Sequence, residues 1–250
     1  MKSCFIDVHC HLDMCENKEM CIKNSQDVRV KIIITQGVNK ETNRKSLELA
    51  KRYKEVKSAL GIYPIDALSL SDKEIDSEID FIRENNKNII AIGEVGLDFK
   101  EDLTNHAKQK ENFNKFIKLA LELDKPIIVH SRKAEKECIE ILENEGIKKV
   151  IMHCFCGKFS LVERISANGW FLSIPALIKN SQQFQNIANK IDIGRLLCET
   201  DSPYLNPDKS ESNEPANVIE IYKKIAEIKK IKIEKVRDIL YNNYISLFEK

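Results

Sequence analysis

No stretch of the chain approaches the ~20 consecutive apolar residues that a membrane-spanning helix needs. The first ten residues are broken by Asp7 and His9 too early for a secretory leader. A cytoplasmic protein with no membrane partner is therefore expected. Charge of one sign is also scarce: 40 Lys and Arg face 39 Asp and Glu, a net charge of +1. No global field holds a polyanion, so any such partner must be gripped locally. With 8 Gly and 6 Pro among 250 residues and 42% hydrophobic side chains, collagen and disorder are excluded and a full core is within reach. None of the eight cysteines forms a Cys-x-x-Cys pair, which fits reduced, mostly buried thiols better than a zinc finger or a disulfide framework. A Gly-x-Gly-x-x-Gly turn is missing after the first apolar run, which removes the main support for a dinucleotide-binding sheet.

What the chain does have is a series of short, β-branched apolar runs. They fall at Cys4–His9, Lys31–Gln36, Ser58–Ile62, Ile89–Gly93, Pro126–His130, Lys149–His153, Gly169–Ile174 and Leu196–Glu199. Polar stretches with helical spacing lie between them, at Asn43–Tyr53, Ile75–Asn85, Asn105–Leu123 and Lys133–Asn144; in the third, Phe113, Phe116, Ile117, Ala120 and Leu121 are expected on one face. Strand and helix in alternation imply a parallel sheet, and runs such as Ile-Ile-Ile-Thr without polar alternation imply burial on both faces. Eight repeats in this length predict an α/β fold of the (β/α)8 barrel type. One domain over residues 1–250 is expected, closed by amphipathic helices at Ala216–Ile228 and Ile233–Phe248.

In such a barrel the carboxyl ends of the strands face one cavity. The chain places His9 and His11 at the first, Glu94 and Asp98 at the fourth, His130 and Arg132 at the fifth, His153 at the sixth, and Glu199 and Asp201 at the eighth. Side chains two apart on a strand point the same way, so His9 and His11 can grip one ion while Cys10 turns aside. Four imidazoles and several acids in one pocket would be costly without a cation to organise them, and a metal site is the economical account. His106, in the helix after the fourth strand, lacks this context and is read as a helix or surface residue. Trp170, Phe99 and Tyr204 could stack on unpaired bases, although aromatics at strand ends more often belong to a core.

Several of these residues sit in recognisable blocks: FIDVHCHLD at 5–13, IGEVGLDF at 92–99, KPIIVHSRKA at 125–134, HCFCG at 153–157 and ETDSPYL at 199–205, followed by NEPANV at 213–218 and NNYISLF at 242–248. In this order they resemble the TatD-type metal-dependent deoxyribonucleases of the amidohydrolase-like superfamily. The resemblance implies that His9, His11, Glu94 and Asp201 surround one divalent ion, with Glu94 bridging to a second held by His130 and His153. Two positions depart from the family pattern. Gly61-Ile62-Tyr63-Pro64 stands where the family usually has Gly-x-His-Pro, and Ser210-Glu211-Ser212 where basic residues often precede Asn-Glu-Pro. Tyrosine can donate a hydrogen bond but cannot become a cation near neutral pH.

The expected chemistry is hydrolysis of a phosphodiester by a metal-bound water, with two divalent ions (Mg2+, Mn2+ or Zn2+) lowering the pKa of that water and relieving charge on phosphorus. Asp201 would take the proton and Arg132 would clamp the phosphate with paired donors, helped by Tyr63, Lys158 and Glu199 as substrate contacts. Glu199, Asp98 and Asp7 could instead support a metal ligand from behind. Without excess positive charge, a single-stranded DNA end is the expected substrate, trimmed as by an exonuclease. Two alternatives stay open: hydrolysis of another ester, lactone, amide or aminoacyl-tRNA bond at the same site, and a non-catalytic barrel acting as a binding protein.

Overall fold

The computed structural model describes residues 3–208 and 212–249. The departure at Ser210 and Glu211 lies outside them. Eight parallel strands occur in sequence order: β1 Phe5–Cys10, β2 Val30–Gly37, β3 Val56–Leu60, β4 Ala91–Asp98, β5 Ile127–Arg132, β6 Val150–Met152, β7 Phe171–Ile174 and β8 Leu196–Cys198. Between them run α1 Lys18–Asp27, α2 Lys40–Arg52, α3 Pro64–Leu68, α4 Asp72–Glu84, α5 His106–Glu122, α6 Glu135–Asn144, α7 Phe159–Ala167 and α8 Gln182–Lys190. Two more, α9 Val218–Lys229 and α10 Ile233–Phe248, follow the last strand. The ring closes at the site end, where Asp201 N donates to His9 O (2.9 Å) and His11 N to Ser202 O (2.6 Å). This is a (β/α)8 barrel. Among the described residues no helix is long and apolar enough to cross a membrane.

Two apolar clusters follow from the strands being covered on both faces. Ile6, Ile34, Ala59, Ala91, Ile128, Ile151, Phe171 and Leu197, one from each strand, meet in a cluster that Tyr241, Tyr244 and Leu247 of α10 complete. Residues of opposite strands can meet only inside the ring, so α10 stoppers the barrel. The larger cluster lies under the helices and includes Trp170, which is 2% exposed and donates its indole N–H to Ile147 O at 3.1 Å. Trp170 is thus a core residue.

Two sequence expectations are corrected here. On α5, Phe113, Phe116, Ile117 and Ala120 are buried, but Leu121 is 44% exposed. The inner stripe runs instead through Gln109 and Asn112, both buried. β4 also extends to Asp98 instead of stopping at Gly93, so Glu94 and Asp98 lie within it. Gly96 makes this extension fit: its φ is +144°, and a Cβ there would lie 2.0 Å from His130 O on the neighbouring strand.

Candidate metal centre

The strand ends deliver the predicted side chains to one place. His9 Nε2 lies 3.3 Å from Glu94 Oε2 and 3.5 Å from Asp201 Oδ1. His11 Nε2 lies 3.5 and 3.4 Å from the same two oxygens. The other Glu94 oxygen, Oε1, is 2.9 Å from His130 Nδ1 and 3.6 Å from His153 Nε2. Glu94 therefore stands between two sets of donors, with ligand atoms of His9, His11 and Asp201, and of Glu94, His130 and His153, each within 4.8 Å of one another. A third grouping of the same kind joins His9, His153 and Glu199.

Asp201 reaches this point through an unusual backbone. Its φ of 57° is left-handed, a conformation Asp tolerates better than most residues. Asn213 fixes the turn, donating to Thr200 O (2.8 Å) and Tyr204 O (2.9 Å). Asp7 steadies the same stretch from inside, accepting from Thr200 N (2.9 Å) and Thr200 Oγ1 (2.6 Å). Asp7 touches His9 only at its backbone N–H (3.3 Å), so it does not orient that ring. Burial pushes the Asp7 carboxyl up to about 8 against the pull of the Thr200 bonds.

Two other acids do orient imidazoles. Asp98 Oδ2 lies 2.9 Å from His130 Nε2, and both oxygens of Glu199 lie 3.2 Å from His153 Nδ1. Glu199 is fully buried and also accepts from Cys154 N (2.8 Å) and Ser173 Oγ (2.5 Å). It supports His153 from behind and is not placed to contact a substrate, which corrects that expectation.

The electrostatics match the geometry. Burial works against charge on His153, but Glu199, Glu94 and Asp201 outweigh it and raise its pKa to about 10. Burial likewise opposes charge on His11 and His130, and the acids beside them prevail and raise both. His9 goes the other way, lowered first by burial and then by His153, whose ring stacks on it at 3.8 Å. Burial would raise Glu94 and Asp201, yet the imidazoles around them hold Glu94 well below, and Asp201 below, the usual carboxylate range.

These residues fit a cation on two counts. His9 Nε2, the nitrogen that faces Glu94 and Asp201, is buried without a hydrogen-bond partner among the described residues. His9 Nε2 is close to a carboxylate oxygen but not aligned for a bond, as expected when both face a common centre. The four separations of 3.3–3.5 Å are those between donors placed roughly 2.0–2.1 Å from a central ion in a tetrahedron.

A cavity of about 520 Å³ opens above this cluster, lined in part by His11, Glu94, His130, His153 and Asp201. Tyr63 and Arg132 line it as expected, but both are engaged. Tyr63 Oη donates to Asp98 Oδ2 at 2.7 Å, and burial and that carboxylate push its pKa up. Arg132 Nε donates to Asp98 and Nη2 to Glu101, each at 2.7 Å. Paired donation to a phosphate would need one of these acids to let go; Nη1 alone has no partner among the described residues. Lys158 does not line this cavity. It is exposed at the start of α7, beside Cys156, Phe159 and Gln183. His106 stacks on Phe99 (3.7 Å) outside the cavity, whereas Tyr204 stands at the rim, 53% exposed.

Sequence reasoning missed four contributors. Asn39, Asp66 and Glu101 line the cavity from loops or short helices, where polar residues carry no periodic signal. Gln109 of α5 clamps the end of β4, accepting from Asp98 N (2.8 Å) and donating to Asp98 O (3.0 Å). Its only signal was a glutamine four residues before Phe113 on the inner stripe.

The family model described as TatD related DNase matches residues 6–249. The chain belongs to that family. Among relatives of this TatD-family hydrolase, an uncharacterised metal-dependent hydrolase of Methanocaldococcus jannaschii is 34% identical over 98% of this chain and 97% of its own. Human deoxyribonuclease TATDN3 is 32% identical over 98% of this chain and 94% of its own. The crystal structure of the TatD homologue YjjV of Escherichia coli covers all of both chains at 25% identity, with a TM-score of 0.92. Membership makes this chain a metal-dependent hydrolase, consistent with its cluster of His, Glu and Asp.

Proposed function

We propose that this TatD-family hydrolase is a phosphodiesterase that trims single-stranded DNA from an end with two divalent cations. One observation carries the reading: Glu94 presents one oxygen to His9 and His11 and the other to His130 and His153. His9, His11, Glu94 and Asp201 would hold one ion, and Glu94, His130 and His153 a second. Imidazoles with carboxylates suit zinc or manganese, and a phosphate substrate also suits magnesium. Such a pair, when bound, supplies a water nucleophile at neutral pH and offsets charge on the phosphoryl group.

The chain's own groups then have definite tasks. Asp201, held ionised, takes the proton from the attacking water. Arg132 offers Nη1 to a phosphate oxygen while Asp98 and Glu101 fix its plane. Tyr63 holds Asp98 against His130, and the exposed ring of Tyr204 gives an unpaired base a surface to stack on. The deoxyribonuclease name of the human relative favours this substrate. The eight free thiols suit a reducing cytoplasm, the compartment we propose.

A second reading, hydrolysis of a carboxylic ester, is favoured by the rim itself, where Asp66 and Glu101 stand beside an already paired Arg132. Chelator-stripped protein reloaded with each ion and offered single-stranded DNA, a simple phosphodiester and carboxylic esters separates the two. Metal-dependent release of nucleotides supports the first, and turnover of carboxylic esters alone replaces it with the second.

A further inference from the structure

Cys154 and Cys156 stand apart from the other cysteines. The remaining six are buried, whereas Cys154 is half-buried and Cys156 exposed. Both line a second lobe of about 340 Å³ that shares His130, Arg132, His153, Asp201 and Leu205 with the main cavity. Cys156 Sγ folds back on its neighbour, donating to Cys154 O at 3.3 Å. Cys154 itself sits in a left-handed turn (φ 43°), so the two residues are not splayed along an extended strand. The two thiols also come within side-chain hydrogen-bonding reach of each other, the proximity that a disulfide requires. Arg132, Lys133 and Glu135 line the same lobe, and the exposed Cys156 sulfur is open to an oxidant that enters it.

We propose that Cys154 and Cys156 form a reversible disulfide at the mouth of the metal centre, with a hydroperoxide as oxidant. The exposed Cys156 sulfur attacks the peroxide O–O bond. It becomes a sulfenic acid, and the peroxide leaves as an alcohol or water. Cys154 sulfur then attacks the Cys156 sulfur, forming S–S as the S–O bond breaks. The hydroxyl departs as water with the Cys154 proton. Two thiols lose two electrons and two protons, and the peroxide takes them up.

The bond bears on the metal centre through Glu199. That carboxylate accepts from Cys154 N and faces His153 Nδ1, so drawing residue 154 toward residue 156 displaces the group that orients His153. The disulfide does not depend on the two-cation reading. Its consequence for a bound ion does, and the two are read separately.

The test uses the full chain loaded with zinc, which has no redox chemistry of its own, and treated with hydrogen peroxide. Peptide mass analysis is expected to show 154 and 156 linked with the loss of two hydrogens, reversed by dithiothreitol and absent in Cys156→Ser, an exposed substitution that spares the fold. Stable sulfinic acid at Cys156, or a bond elsewhere with this pair still reduced, overturns the proposal. Elemental analysis is expected to show zinc lost from the oxidised wild type and kept by oxidised Cys156→Ser. Zinc kept by both overturns the coupling while leaving the disulfide standing.

Discussion

Asp98 Oδ2 lies 2.9 Å from Nε2 of His130, on the opposite edge of the ring from the nitrogen that faces Glu94. The carboxylate fixes the ring's rotation and tautomer and so aims Nδ1 at the candidate centre. Losing such support typically costs about 10–100-fold in metal affinity or activity. Asp98→Asn is therefore expected to weaken divalent-ion binding by that order, measured by competition with a chromophoric chelator. Unchanged affinity would make Asp98 a structural anchor only.

Gln109 tests the layer behind it. Its two bonds to the Asp98 backbone are buried, and a buried group left without its partner costs about 1–3 kcal/mol. Gln109→Ala should lower the urea midpoint of the metal-free protein accordingly, and Gln109→Glu should lower it as well, because it sets a buried carboxylate against the Asp98 carbonyl oxygen. Equal stability of wild type and Gln109→Ala contradicts this.

These two residues also mark where sequence stops being legible. The barrel was readable because each strand announces itself as an unbroken apolar run, and His9, His11, His130, His153, Glu94 and Asp201 because strand ends converge in any such ring. Gln109 was hidden because apolar spacing selects hydrophobic neighbours, and the inner stripe of α5 is partly polar; the same bias placed Leu121 inside. Arg132 was correctly set on its strand, and Glu199, read as the last residue of the eighth strand, lies one residue beyond β8. Their engagement with Asp98, Glu101, His153 and Cys154 depends on contacts across the barrel that spacing does not encode.

Proton release should accompany metal binding. His153, raised to about 10 by the surrounding acids against the effect of burial, holds a proton at neutral pH that a cation must displace; the acids beside His11 and His130 shift those imidazoles the same way, and burial shifts His9 the other way. Affinity is expected to rise with pH through the neutral range and to level off as these imidazoles lose their protons. Calorimetry in two buffers of different ionisation enthalpy measures the protons displaced, and an identical heat in both contradicts the expectation.

Tyr204 separates substrate contact from stability. It is 53% exposed, touching Met14 Sδ through its hydroxyl at 3.4 Å. Base stacking on an aromatic is worth about 1–3 kcal/mol. Tyr204→Ala should raise KM for single-stranded DNA by the corresponding factor, with a melting temperature near that of the wild type. An unchanged KM would take Tyr204 out of the substrate path.

Glu94 carries the central claim, since it turns one oxygen to each donor set. The most direct measurement is elemental analysis of divalent ion per chain, made alongside nucleotide release from single-stranded DNA, for wild type and Glu94→Ala. Two ions in the wild type, with both occupancy and activity lost in the variant, are predicted. Full occupancy and full activity in Glu94→Ala would contradict the account.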